Sequence, residues 1–210
     1  KKTNNHCCWR NGGWEQPYKC LKGIEIFSSK KYNVNYKIYG DQVLISKSIK
    51  DYDLQINNYE IINCIENVLD DDKASTILRS RKNSSIYQGL SFVRENSESG
   101  FVSAGNTAAL MILSRLILGM IEGVNRPAIC SKIPSNKSFS LMMDLGANVY
   151  VSAENLLQFA LMGYAYFSII DPERNPKIGL INIGTENNKG LEFLQEAHDL
   201  ISNSFLKDNF

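Results

Sequence analysis

The chain is poor in the side chains that most often build metal centres and acid–base triads. It has two histidines, His6 and His198, and five cysteines, Cys7, Cys8, Cys20, Cys64 and Cys130, with no zinc-ribbon spacing. A structural metal is therefore not expected, and the odd thiol count suits a reducing cytosol. Charge of one sign is also missing: the net value is +1, which gives no support for a nucleic-acid footprint, since that needs a clustered basic face. No apolar run reaches the roughly 20 residues that span a bilayer. The most apolar one, Thr107–Ile121, carries Arg115 in its middle and predicts a helix buried in a domain centre. Lys1–Gly13 is polar, so no secretory leader is expected. Low-complexity tracts and 20–50-residue repeats are absent, and no Ser/His/Asp or Cys/His triad is evident. His198, among Glu196, Ala197 and Asp199, reads as a surface residue of a helix.

What is present is an ordinary globular composition, 43% hydrophobic and 21% charged over 210 residues, enough for one large domain or two small ones. Three segments share one design: 101–111, 142–160 and 177–193 each run from a short apolar strand through a Gly/Asn/Thr turn into a helix start. Amides at a helix start have no intrahelical acceptor and carry the positive end of the dipole, so such turns can hold anions. Turns from neighbouring parallel strands can share a crevice at the carboxyl edge of a sheet.

Alternation predicts strands over Val34–Tyr39, Glu60–Ile65, Phe101–Ser103, Ala128–Ile133, Phe139–Met143 and Lys177–Ile183. Helices are expected over 73–78, Ser84–Glu95, Thr107–Ile121, Ala153–Ile169 (Ser152 as N-cap) and Leu191–Ser204. This order argues for a mostly parallel α/β sheet with helices on both faces. Residues 1–22 look foreign to the rest: they hold three cysteines and both tryptophans and lack periodicity. The domain reading is therefore an aberrant stretch, 1–22, followed by one α/β domain, 23–210.

Each turn carries candidate chemistry beside a plainer alternative. Ser103, Gly105, Asn106 and Thr107 could cradle a phosphate, or form a capped turn. Asp144, Gly146 and Asn148 could orient a reactant or move a proton, or the acid could bind its own loop. Gly184, Thr185, Lys189 and Glu192 could offer a cation at a helix start, or form a solvated loop. Arg79, Arg81 and Lys82, followed by Ser84 and Ser85, could grip an anion, since arginine pairs bidentately with phosphate or carboxylate, or be a solvated face.

The blocks RSRKNSS (79–85), VSAGNTAALM (102–111), GMIEGVNRPAI (119–129), DLGANV (144–149), ENLLQFALMG (154–163) and INIGTENNKGLE (181–192) together resemble the bacterial phosphate acyltransferases of phospholipid synthesis, the PlsX family. The likeness runs in family order from about Gly23 to Ser204. It implies a three-layer α/β/α sandwich related to phosphotransacetylases and isopropylmalate-dehydrogenase-like enzymes. It implies transfer of a fatty acyl group from acyl carrier protein to inorganic phosphate, giving an acyl phosphate, with no cofactor. It further implies a homodimer in the cytoplasm, peripheral to the inner face of the membrane. On this reading Lys189, Asn106 and Asp144 are catalytic. Ser103, Gly105, Thr107, Gly146, Asn148, Gly184, Thr185 and Glu192 bind phosphate or substrate. Arg79, Arg81, Lys82, Ser84 and Ser85 dock the acidic carrier. A phosphotransacetylase-like enzyme using acyl-CoA and an inactive remnant are the alternatives. The chain departs from the family at its start, where an Asp-Ala-Met-Gly-Gly-Asp turn is expected and Cys8–Trp14 stands. Suitable codons for Cys7–Gly12, read one base later, give Val-Val-Gly-Ala-Met-Gly, so residues up to about Cys20 are expected to be out of frame, with divergence as the alternative. The family also continues past the position of Phe210, so the chain is expected to be truncated.

Overall fold

The strand VNYKIYG alternates buried and half-buried side chains and runs into Asp41, whose carboxylate accepts the amides of Val43 (2.9 Å) and Leu44 (3.0 Å). That cap starts a helix at Gln42, since an aspartate here satisfies amides that the helix cannot. The same device recurs at Ser84, Asn106 and Ser152. In the computed structural model, the described residues are 3–8 (backbone only), 17–30, 34–66, 68, 77, 79–136, 138–184 and 190–210. They form two compact units, Lys1–Gly119 and Met120–Phe210.

The first unit contains β1 (Thr3–Cys8), α1 (Tyr18–Ser28), β2 (Val34–Gly40), α2 (Gln42–Asp51), β3 (Tyr59–Asn63), α3 (Ser85–Glu95), β4 (Ser99–Ser103) and α4 (Thr107–Ile117). Its sheet is parallel throughout, in the order β3-β2-β1-β4. The chain first winds outward from β1 to β3, then crosses back to β4. Right-handed crossovers in opposite directions put helices on opposite faces, and the packing agrees. Tyr36 and Ile38 of β2 join Leu21, Ile24 and Ile45 of α1 and α2 in one apolar cluster. Lys37, one residue out of phase and so on the other face, lies over the Phe92 ring of α3. A second cluster there unites Ile86 and Leu90 of α3 with Ala109, Leu113 and Ile117 of α4. Ile45 and Leu113 are fully buried, each contributing about 1.5–3 kcal/mol of transfer free energy. Gly89 lets α3 meet β4: a Cβ there would stand 2.1 Å from the Phe101 ring.

Two expectations change in this unit. Thr3–Cys8, within the stretch that lacked periodicity, is a strand paired on both sides, and α1 crosses the boundary placed at residue 22. The helix expected over Thr107–Ile121 stops at Ile117, with Gly119 at φ +85°, a conformation that glycine adopts freely and that commonly ends helices. It is also amphipathic rather than buried all round, for Leu116 and Leu118 are exposed. The helix expected over 73–78 falls largely outside the described residues.

The second unit contains the antiparallel hairpin β5 (Cys130–Pro134) and β6 (Phe139–Met143), the long helix α5 (Ala153–Ile170) and α6 (Glu192–Ser202). A capping box starts α5: Ser152 Oγ accepts the Asn155 amide (3.3 Å), and Asn155 Oδ1 accepts the Ser152 amide (3.1 Å). Phe159, Ala197, Ile201 and Leu206 are buried in this unit. Arg174 braces the hairpin to α5, its Nε on Asp171 (2.6 Å) and its guanidinium 4.9 Å from both the Phe139 and Phe167 rings. Lys177–Ile183, expected as a strand, forms no strand among the described residues. The Ile178 amide donates to the Asn209 carbonyl (2.7 Å) and Lys177 Nζ to the Asp208 carbonyl (3.2 Å).

Candidate functional site

The reversal of winding between β1 and β4 makes their carboxyl ends a topological switch point, where parallel α/β sheets leave a crevice for ligands. Cys8 and Ser103 are register partners there. The turn after β1 lies outside the described residues; the turn after β4 is Ser103–Asn106. Ser103 Oγ accepts the Gly105 amide (3.0 Å), so its hydroxyl proton can be donated elsewhere. Asn106 caps α4, its Oδ1 accepting the Ala109 amide at 2.8 Å. The first-turn amides of Thr107 and Ala108, both exposed, have no intrahelical acceptor by position. At the same sheet edge, α2 begins under the Asp41 carboxylate, and Asn63 Oδ1 takes the Gln42 amide at 3.1 Å. The α2 start is thus neutralised by its own acid, whereas the α4 start is capped by a neutral amide.

Next to Asp41 on this edge, Cys64 is buried and its thiol is pushed up to about 11 by desolvation. It stays protonated near neutrality and is no nucleophile. Burial also raises the Tyr39 hydroxyl well above its ordinary value.

In the second unit Asp144 ends β6. Its Oδ1 accepts the amides of Ala147 (3.2 Å) and Ile129 (3.4 Å), and its Oδ2 accepts the Asn148 amide (3.1 Å) and Asn148 Nδ2 (3.0 Å). Four donors occupy the lone pairs of one carboxylate. These four donors hold the Asp144 carboxylate within its own turn. Asn148 Nδ2 also donates to the Pro127 carbonyl at 2.9 Å, joining the turn to the strand entry. Gly146 supplies the positive φ of the turn, +75°. Gly184 is half-buried and Glu192 is exposed in the first turn of α6. Thr185 and Lys189 lie outside the described residues. Gly190 sits at φ +89°, and a Cβ there would meet Asn182 Oδ1 at 2.3 Å unless that side chain moved.

The basic run divides. Arg79 and Lys82 are exposed and Arg81 is half-buried. Ser84 and Ser85 are buried, and Ser84 Oγ accepts the Tyr87 amide at 3.4 Å. The two serines build the start of α3 and do not face a docking partner. Glu66 fixes the turn before them by accepting the Asn83 amide at 2.8 Å. Arg126 lies inside one of the family-like blocks without a sign in the local sequence of its contact, which the fold shows: its guanidinium donates to the Tyr150 carbonyl (3.2 Å). Among the described residues no group of three or more His, Cys, Asp or Glu side chains could hold a metal ion, and no helix is long and apolar enough to cross a membrane.

The family described as "Fatty acid synthesis protein" matches residues 11–210. A phosphate acyltransferase from Wolbachia sp. subsp. Drosophila simulans is 43% identical over 198 residues, 92% of this chain and 57% of the relative. One from Caldicellulosiruptor saccharolyticus is 35% identical over 193 residues, 92% of this chain and 58% of the relative. The chain thus spans between half and two thirds of the length of the relatives it matches. In fold it resembles the EutD phosphotransacetylase from Staphylococcus aureus, with a TM-score of 0.68 at 18% identity, covering 98% of this chain and 66% of that one. A Streptococcus pyogenes phosphotransacetylase is similar at 0.66 and 18%, covering 95% of this chain and 64% of that one. An α/β unit with an anion-ready turn at its switch point, a family match over most of the chain, and relatives at 35–43% identity place the chain in the phosphate acyltransferase (PlsX) family.

Proposed function

We propose that the protein transfers a fatty acyl group from the thioester of acyl carrier protein to inorganic phosphate. The observation that carries this is the α4 start: a neutral Asn106 cap, open first-turn amides and the Ser103 hydroxyl at the switch point, beside an α2 start closed by Asp41. A phosphate oxygen attacks the thioester carbonyl, forming the new C–O bond. The C–S bond then breaks, the thiolate leaves and takes a proton from solvent, and the product is an acyl phosphate. The protein need only hold a dianion and stabilise the developing oxyanion. Ser103, Gly105, Asn106 and Thr107 hold phosphate. Lys189 supplies the positive charge, and Gly184, Thr185 and Glu192 bind phosphate or substrate. Asp144, Gly146 and Asn148 keep a substrate-facing turn in shape. Arg79, Arg81 and Lys82 meet the acidic carrier. The active form is a dimer in the cytoplasm, at the inner face of the membrane, and residues up to about Cys20 carry a shifted reading frame.

The test is an acyl-phosphate assay with hydroxylamine trapping, run on this chain and on a homologue of the relatives' full length. Hydroxamate from acyl carrier protein and phosphate, reduced at least tenfold by Asn106→Ala and by Lys189→Ala in the homologue, supports the reading; unchanged turnover in both variants refutes these roles. The phosphotransacetylase-like fold favours a second reading in which acyl-CoA is the donor. Hydroxamate from acyl-CoA but not from the carrier would select it. Product from the homologue and none from this chain would mark the chain as an inactive remnant.

A further inference from the structure

Residues 125–127 are held one after another by groups from 148–158. The Asn125 amide donates to Gln158 Oε1 (2.9 Å), the Pro127 carbonyl accepts Asn148 Nδ2 (2.9 Å), and Arg126 Nη1 donates to the Tyr150 carbonyl (3.2 Å). The side chain between these anchors is exposed, and among the described residues no carboxylate lies within ion-pair distance of it. The carboxylate of the adjoining turn, Asp144, is already occupied by its four donors and does not compete. Beyond its bond to the Tyr150 carbonyl just ahead of α5, the guanidinium has no other side-chain partner among the described residues. A guanidinium with one N–H fixed and the rest of its fork open to solvent presents the geometry that phosphate groups accept.

We infer that Arg126 is a substrate-binding residue that receives a phosphate group beside the Asp144–Asn148 turn. This rests on the proposed acyl transfer and deepens it. The group is either free inorganic phosphate or the phosphate of the pantetheine arm that carries the acyl thioester; the chemistry recognised is the same.

The test titrates the 210-residue chain with inorganic phosphate and, separately, with 4′-phosphopantetheine, following heat of binding for the unmodified protein, Arg126→Gln and Arg126→Lys. Arg126→Gln is expected to weaken one or both ligands by about tenfold, Arg126→Lys to recover only part of that loss because it keeps the charge without the fork, and both variants to melt with the parent. The more strongly affected ligand is the source of the phosphate. Binding that ignores Arg126→Gln while Asn106→Ala still weakens phosphate overturns the role of Arg126 and leaves the proposed reaction standing. Failure of the unmodified chain to bind either ligand overturns both. A lysine variant as weak as the glutamine variant, with a lowered melting temperature in each, makes Arg126 a brace and overturns the inference.

Discussion

Asp144→Asn separates the two roles a carboxylate could have at the end of β6. The substitution is nearly isosteric but places an NH₂ group at one oxygen. If that oxygen is Oδ2, two donors from Asn148, at 3.1 and 3.0 Å, would face another donor. If the amide flips, the Ala147 amide at 3.2 Å and the Ile129 amide at 3.4 Å lose their acceptor instead. Hydrogen bonds to a charged group contribute about 1.5–3 kcal/mol each. The site is half-buried, so water restores part of that, and a loss of about 2–4 kcal/mol is expected. For a chain of this length that corresponds to a fall in melting temperature of about 5–10 °C. The assay is thermal unfolding followed by tyrosine circular dichroism, for both tryptophans precede residue 15 and lie far in sequence from this turn. Unchanged melting with abolished acyl transfer would refute the positioning role and return Asp144 to proton transfer.

Gly89→Ala should destabilise by about 1–3 kcal/mol in urea titration, because its Cβ would overlap the Phe101 ring; a neutral result would mean that α3 and β4 separate freely. Asp41→Ala should cost about 0.5–2 kcal/mol through loss of the α2 cap, while Asp41→Asn should restore most of it; equal stability of both variants would sink that assignment. For Cys64 the folded thiol titrates above its ordinary value of 9.0, at about 11, because burial penalises the thiolate. The stability it lends is whole below about pH 9 and is lost as pH rises toward 11, where the unfolded chain ionises first. The urea midpoint should therefore fall over that window, and Cys64→Ala should make the fall shallower; Tyr39, shifted in the same direction, accounts for part of what remains.

Helix starts were the most legible part of the fold, because a cap is a local device. Ser152 as a cap and Ser84 as the start of a helix could be read from one residue and its neighbours, and each caps that helix. What a cap's neighbours do is not local. Whether Asp144 is free or occupied depends on amides at 129, 147 and 148, and the Pro127 carbonyl that fixes Asn148 lies 21 residues away. The burial of Ser84 and Ser85 likewise comes from α3 packing on the sheet rather than from the basic run beside them. Lys177–Ile183 has the apolar alternation of a strand, yet a strand is a property of two segments, and alternation supplies only one.

β1 makes the same point from the opposite direction. An interior strand of a parallel sheet, covered on both faces, normally reads as a continuous apolar run. Thr3–Cys8 reads TNNHCC and is nonetheless paired to β2 on one side and β4 on the other. Its conformation is therefore dictated by its neighbours: β2 and β4 present parallel ladders one strand-width to either side, and any segment there that satisfies both sets of backbone groups closes the sheet. Local pattern and tertiary position disagree in this strand, whereas in β2 they coincide, with Val34, Tyr36 and Ile38 all buried. Such disagreement is the mark of a sequence under some other constraint, or of one no longer maintained. A shifted reading frame belongs to the second kind. It would replace Cys7-Cys8 by Val-Val, the β-branched residues that an interior strand calls for, at the strand end that meets Ser103 across the switch point.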